Sequence, residues 1–334
     1  MKAIIYEEFG PPEVLKLVEV DKPTPKKNEV LIRNYATTIG YGEILARNFR
    51  NVSPSKFAMP LLFWLIAKLS LGFRKPRKKI LGSIFSGQIE AVGEEVTLFK
   101  QGDQVFGYTS QAMKTYAEYI TLPEKGILDL KPSNVNFEEA AVFPYGGIMA
   151  LSLLRDKVKL ESGQKILING ASGGIGSAIV QLAKSHYDAN VTGVCGTPRL
   201  EFVKALGADH VIDYTKEDFT ESGETYDIIF GGLGKTPFSK VKNSLKPNGR
   251  YVLTSFKMRQ IGQMIRSKLF DNKKVNCVIL PESVKDLKEV KKLIEEGKLK
   301  AFIDKSFSFN QMAEAFRYIE EGHYKGHIAI TIDH

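Results

Sequence analysis

Cysteine is nearly absent from this chain: two residues, Cys195 and Cys277, among 334. Two thiols exclude a disulfide framework and a thiolate zinc cluster, and they fit a reducing cytosol. Histidine is as sparse. The five are His186, His210, His323, His327 and His334, so the first 185 residues hold none. A signal segment is not expected, because Lys2-Ala3-Ile4-Ile5-Tyr6 already reads as a strand. No apolar run reaches the ~20 residues that span a bilayer. The longest, Phe57 to Phe73, is interrupted by Pro60 and Lys68. Internal repeats and low-complexity segments are missing. The net charge of +9 comes without a nucleic-acid motif, and the basic residues are mostly dispersed, so nucleic acid is not an expected partner.

What is present centres on Gly170-Ala171-Ser172-Gly173-Gly174-Ile175-Gly176. Before it, Lys165-Ile166-Leu167-Ile168-Asn169 reads as a buried parallel strand; after it, Ser177 to Lys184 has apolar residues at helical spacing. Strand, glycine turn and helix together form a phosphate cradle. Glycine permits a tight turn and close approach of the backbone, and the new helix offers unpaired N–H groups and a positive dipole end. Further strands are expected at 190–195, 211–213, 226–230 and 249–254, with a helix from Arg199 to Leu206 stopped by Gly207. This alternation predicts an α/β fold, a doubly wound parallel sheet that binds a dinucleotide at its switch point.

The end of the second strand, Cys195-Gly196-Thr197-Pro198-Arg199, contains no acid that would hold a bare ribose. Arg199 instead offers a charge-assisted partner for a 2′-phosphate, which favours NADPH over NADH. A solvated Arg199, with Glu201 reaching back, is the alternative.

The flanking regions read as β-rich. Strands are expected at 14–20, 29–35, 86–93, 103–107 and 116–120, as in a barrel or sandwich placed before the nucleotide domain. Toward the C-terminus a helix is expected from Val284 to Glu296, a capping box at Ser308-Phe309-Asn310-Gln311 opening a second helix, and a strand at 325–330.

In this order the motifs Gly87 to Gly93, Lys100 to Gly107, Tyr116 to Tyr119, Glu139-Ala140-Ala141, Gly170 to Gly176, Leu206 to Asp209 with Ile212-Asp213-Tyr214, and Gly326-His327-Ile328 resemble the medium-chain dehydrogenase/reductase superfamily, in its zinc-independent quinone oxidoreductase branch. The resemblance implies a GroES-like catalytic domain over 1–125 and 265–334, and a Rossmann NADP(H)-binding domain over 126–264. It implies Tyr214, Thr197 and Arg199 beside the adenosine phosphate, and Leu253 to Ser255 near the nicotinamide. It also implies a substrate cleft between the domains and a homodimer. The expected cofactor set is therefore Gly170, Ser172, Gly173, Gly174, Ile175, Gly176, Thr197, Arg199, Tyr214, Leu253 and Ser255.

Residue chemistry argues against the zinc-dependent relatives. The first ligand would fall within Thr37 to Glu43, which holds no Cys or His. Hydride transfer without a Lewis acid suits a quinone or an α,β-unsaturated carbonyl. The branch usually carries Asn, then Asp, then Arg along its first helix. Here Gly40 replaces the Asn, Glu43 the Asp, and Arg47 fits the Arg. Tyr41, Glu43 and Tyr145 are the candidate catalytic residues, with core packing as the competing role for both tyrosines. Met149 stands where the branch has Thr.

Two readings of Phe57 to Phe73 stay open. One is a lid or packing insertion, lined by Phe57, Leu62, Trp64 and Ile66. The other is a contact with an anionic membrane through Arg74 to Lys79. Function has alternatives too: an NADP(H)-binding protein of low activity serving as a scaffold or membrane-surface factor, or an enoyl-thioester reductase.

Overall fold

The computed structural model describes residues 1–334 apart from Leu233 and His323. In chain order the first strands are β1 (Lys2–Ile5), β2 (Lys16–Glu19) and β3 (Glu29–Thr38), followed by helices α1 (Tyr41–Arg47) and α2 (Leu61–Leu71). Next come β4 (Ile84–Val92), β5 (Gln104–Tyr108), β6 (Tyr119–Pro123) and β7 (Leu128–Leu130), then the long α3 (Phe137–Ser152). The nucleotide-domain pattern follows: β8 (Lys165–Asn169), α4 (Gly174–Ser185), β9 (Asn190–Cys195), α5 (Leu200–Ala205), β10 (His210–Asp213), β11 (Tyr226–Gly231), α6 (Phe238–Val241) and β12 (Leu245–Leu253). The remainder is α7 (Met258–Phe270), β13 (Lys274–Cys277), α8 (Val284–Glu295), β14 (Ile303–Ser308), α9 (Met312–Glu321) and β15 (His327–Thr331).

Six strands form an all-parallel sheet in the order β10-β9-β8-β11-β12-β13. The order reverses at β8, which puts the glycine turn at the switch point. Successive β8 residues serve opposite faces: Ile166 and Ile168 enter one core with Ile228, Phe230 and Val252, and Leu167 enters another with Val194, Ile229 and Tyr251. Burial on both faces explains the near-continuous apolar runs of these strands.

The second sheet runs β14-β15-β3-β4-β5-β7, with β6 paired to β3. Its pairing of β15 with β3 closes the two chain ends onto one another. There Phe307, Met312, Phe316 and Ile330 share a core with Ile4, Tyr6, Leu15 and Tyr116. Arg47 is 1% exposed within this core; it donates Nη1–H to Gly10 O at 2.9 Å and pairs with Glu320, so α1 is tied to α9.

Two stretches sit on other sides of the expected boundaries. Lys274–Cys277 hydrogen-bonds to β12 in the parallel sheet, although 265–334 was assigned to the catalytic domain. Leu128–Leu130 pairs with β5 in the other sheet, although 126–264 was assigned to the nucleotide domain. Domain limits near 131 and 278 are therefore proposed. The reason is that a four-residue edge strand or a three-residue one carries too little periodicity to read. The strand expected at 116–120 begins three residues later, at Tyr119, because Tyr116 and Ala117 instead bond across to the β1 region.

Between the two sheets lies α3. It packs on α4 and α8 on one side and on β3, β4, β5 and β15 on the other. Its start is set by Asn136, whose side chain accepts from Glu139 N–H at 2.9 Å while Glu139 caps Asn136 N–H in return. The capping box expected at Ser308 and Gln311 is present.

Candidate active site

The glycine turn has the geometry that phosphate binding needs. Gly170 adopts φ +93°, a conformation that side chains oppose. The N–H groups of Gly170 and Ala171 both bond Val194 O, at 3.0 and 3.1 Å, which ties the turn to β9. A Cβ at Gly176 would lie 2.1 Å from Gly170 O, so only glycine lets α4 seat this closely on its strand. Gly174 is exposed at the first turn of α4, and Ser172, Gly173 and Ile175 are half-buried around it. The first N–H groups of a helix lack partners within it and point out along its axis. These residues fit a dinucleotide pyrophosphate.

The neighbouring strand ends form the rest of the rim. Thr197 donates its hydroxyl to Asp213 Oδ2 at 2.6 Å, and Asp213 also accepts from Thr215 N–H and Oγ1–H. These hydrogen bonds, Thr197's first among them, hold the Asp213 carboxyl below its ordinary range. Tyr214 is 63% exposed and its hydroxyl lies over Gly196. Arg199 donates Nε–H to Tyr324 O at 2.9 Å and bonds Gly322 O, with its guanidinium 4.8 Å over the Tyr324 ring. The arginine thus links the β9 end to the segment before β15. Leu253 is buried at the end of β12, and Ser255 O lies against Gly234.

The candidate catalytic residues divide. Tyr41 is 69% exposed at the start of α1 and stands apart. Glu43 is buried, accepting from Gly40 N–H at 3.0 Å and from Ser83 Oγ–H at 2.5 Å. Burial pushes its carboxyl up, with these hydrogen bonds opposing. It therefore caps α1 and anchors Ser83. Tyr145, on α3, packs its ring 5.4 Å from that of Tyr108 on β5. Burial, then the nearby Glu282 and Glu43 charges, push the Tyr145 phenol up to about 12. Tyr108 is raised further by burial and Glu282. Both phenols therefore stay protonated at neutral pH, with Glu282 and Glu43 nearby. Neither Tyr108 nor Glu282 is singled out on the sequence; one lies on β5 and the other in the loop between β13 and α8, and neither has a local signature.

α3 joins this pair to the nucleotide turn. A Cβ at Gly146 would lie 2.5 Å from Gly174 O, so the residue after Tyr145 rests on the α4 N-terminus. The two cysteine thiols are pushed up to about 11 by burial, which leaves both un-ionised and poor nucleophiles.

The N-terminal region, residues 26–132, matches the alcohol dehydrogenase GroES-like domain, and residues 206–330 match a zinc-binding dehydrogenase domain. Among the described residues no three His, Cys, Asp or Glu side chains group as metal ligands. The chain is 32% identical over 344 residues to the chloroplastic quinone-oxidoreductase homolog of Spinacia oleracea, covering 99% of this chain and 98% of that protein. It is 29% identical to the chloroplastic NADPH-dependent alkenal/one oxidoreductase of Arabidopsis thaliana, covering 99% and 79%. Among solved structures, the quinone oxidoreductase from Coxiella burnetii superposes with a TM-score of 0.83 at 28% identity, covering 100% of this chain and 99% of that one. A parallel sheet with its glycine turn at the switch point, a second sheet closed by both chain ends, and full-length similarity to these proteins make the chain a member of the quinone oxidoreductase branch of the medium-chain dehydrogenase/reductase superfamily.

Proposed function

We infer that this protein is an NADPH-dependent oxidoreductase that reduces a quinone or an α,β-unsaturated carbonyl by hydride transfer, without a metal. The observation that carries the reading is the contact of α3 with the nucleotide turn: Gly146 rests on Gly174 O, and the adjacent Tyr145 sits with Tyr108 across the cleft. Gly170, Ser172, Gly173, Gly174, Ile175 and Gly176 would hold the pyrophosphate. Thr197, Arg199 and Tyr214 would hold the adenosine phosphate, and Leu253 and Ser255 would line the nicotinamide end. NADPH supplies the hydride when bound. Hydride addition to a conjugated carbonyl leaves negative charge on its oxygen, which needs a donor. Tyr145 stays protonated at neutral pH and donates there; Tyr108 and Glu282 orient it. Glu43 positions α1 from below. Similarity over 99% of this chain to an NADPH-dependent alkenal/one oxidoreductase supports the same chemistry.

The test is NADPH absorbance loss with a panel of quinones and enals in chelator-treated buffer. Turnover that survives the chelator and prefers NADPH to NADH is expected. No turnover with either nucleotide, or activity restored only by zinc, overturns the reading. The proposed working form is a homodimer in a reducing cytosol, checked by light scattering and by fractionation.

A further inference from the structure

Outside the cleft, α2 breaks the usual rule for a surface helix. Its inner side carries Trp64, Ala67 and Leu71, which pack toward Phe49 and Phe57. Trp64 stacks 6.4 Å from Phe49 and donates Nε1–H to Val52 O at 2.8 Å. Its outer side carries Leu61, Leu62, Leu65, Ile66 and Leu69, which are 56, 63, 43, 53 and 53% exposed. At helical spacing these five occupy one arc of about 140°. An amphipathic surface helix turns polar residues outward; this one turns leucines to water. Of the four residues expected to line a lid or packing insertion, Phe57 and Trp64 pack inward, whereas Leu62 and Ile66 face out.

The charge beside it is as one-sided. Phe73 follows the helix at 52% exposure, and Arg74, Lys75, Arg77, Lys78 and Lys79 follow Phe73. From residue 44 to 89 there are nine Lys or Arg and no Asp or Glu. That equals the net charge of the whole chain, since 47 basic residues less these nine leave 38 against 38 acidic ones. Lys79 pairs with Glu7 at 3.1 Å; among the described residues the other four in the run form no ion pair. The neighbouring α7 repeats the pattern. It adjoins the segment through Lys257, bonded to Ser55 O, and through Met59, which packs against the same core as Ile261 and Met264. Met258, Ile265 and Leu269 of α7 are 66, 55 and 68% exposed, with Arg259 and Arg266 beside them.

We propose that α2 docks this protein on an anionic lipid bilayer, its leucine face in the acyl boundary and the Arg74–Lys79 run on the headgroups. An exposed apolar arc needs a cover, and the charge decides which. A symmetric second copy would bring two basic runs together and repel. A bilayer with anionic headgroups satisfies both halves of the surface. At 11 residues α2 is too short to cross the membrane, and no described helix is long and apolar enough to do so; it lies in the interface.

Trp64 is the only tryptophan, so the unmodified full chain reports on its own helix. With vesicles of phosphatidylcholine and phosphatidylglycerol at low salt, its emission moves to the blue and the protein co-sediments; with phosphatidylcholine alone, or at high salt, neither occurs. The double variant Arg74→Glu/Lys75→Glu binds about tenfold or more weakly. Leu65→Glu/Leu69→Glu also loses binding while keeping the wild-type circular dichroism and melting temperature; should that pair misfold, Leu65→Ser/Leu69→Ser replaces it. No emission shift and no sedimentation with anionic vesicles at low salt overturns the proposal. So does undiminished binding by the folded leucine variants, or their conversion of a dimer to a monomer in a protein that ignores vesicles, which would assign the face to a second copy.

Discussion

Tyr145, 36% exposed on α3, owes its chemistry to its neighbours, the Tyr108 ring and Glu282, rather than to any motif. If its phenol protonates the developing oxyanion, Tyr145→Phe lowers kcat/KM about tenfold or more with NADPH affinity unchanged. The pH profile is a second readout. An ordinary tyrosine ionises at 10.0, whereas this one holds its proton to about 12, so turnover stays flat through the ordinary range and falls only as the pH approaches the higher value. The sequence offers Arg199 as a phosphate partner; what the structure shows is its grip on the backbone of Gly322 and Tyr324, which has no sequence signal because the partners are carbonyls more than a hundred residues away. Arg199→Ala should raise the KM for NADPH about tenfold and leave that for NADH nearly unchanged, since a charge-assisted bond to a phosphate is the difference between them. Equal effects on both nucleotides would assign the arginine to the tether alone.

Among the elements, α3 does most to assemble the cleft. It touches both sheets, and its glycines set how closely. Gly146 meets Gly174 O, and a Cβ at Gly147 would lie 2.9 Å from Val290 on α8. Gly146→Ala pushes against a backbone carbonyl, which cannot swing away as a side chain tip would. A loss of about 1–3 kcal/mol in stability is expected, together with weaker NADPH binding, both measurable by thermal shift with and without nucleotide. The run Pro144-Tyr145-Gly146-Gly147 holds a proline and two glycines and so reads locally as a turn. Packing on six neighbouring elements overrides that preference. The strand β13 escaped for the opposite reason: Lys274–Cys277 is short and carries polar residues at the sheet edge, so its pairing with β12 is a tertiary fact.

At the scale of the molecule, the two sheets meet where β15 passes the N-terminus of α4. His327, on β15, lies 3.5 Å from Ser177 Oγ on α4. Burial lowers its imidazole from 6.5 to about 4. The unfolded chain therefore binds a proton below about pH 6.5 that the folded protein refuses until about pH 4. Stability from this group is whole above pH 6.5 and is lost as the pH falls through that window, by about 3 kcal/mol. Denaturant titrations between pH 4 and 7 should show the slope, and His327→Gln should flatten it; an unchanged slope would place the acid sensitivity elsewhere.

The strand, glycine turn and helix around Gly170, the alternation that follows, and the absence of an acid after β9 were all determined by the sequence alone. Each rests on neighbours along the chain, where periodicity, β-branching and glycine act within a few residues. Only the tertiary structure decided that β15 pairs with β3, that Tyr108 and Glu282 join Tyr145, and that α2 turns its leucines to water rather than over the cleft. Those outcomes depend on which distant surfaces bury one another, and a face that is apolar all round carries no local mark of which side will be covered.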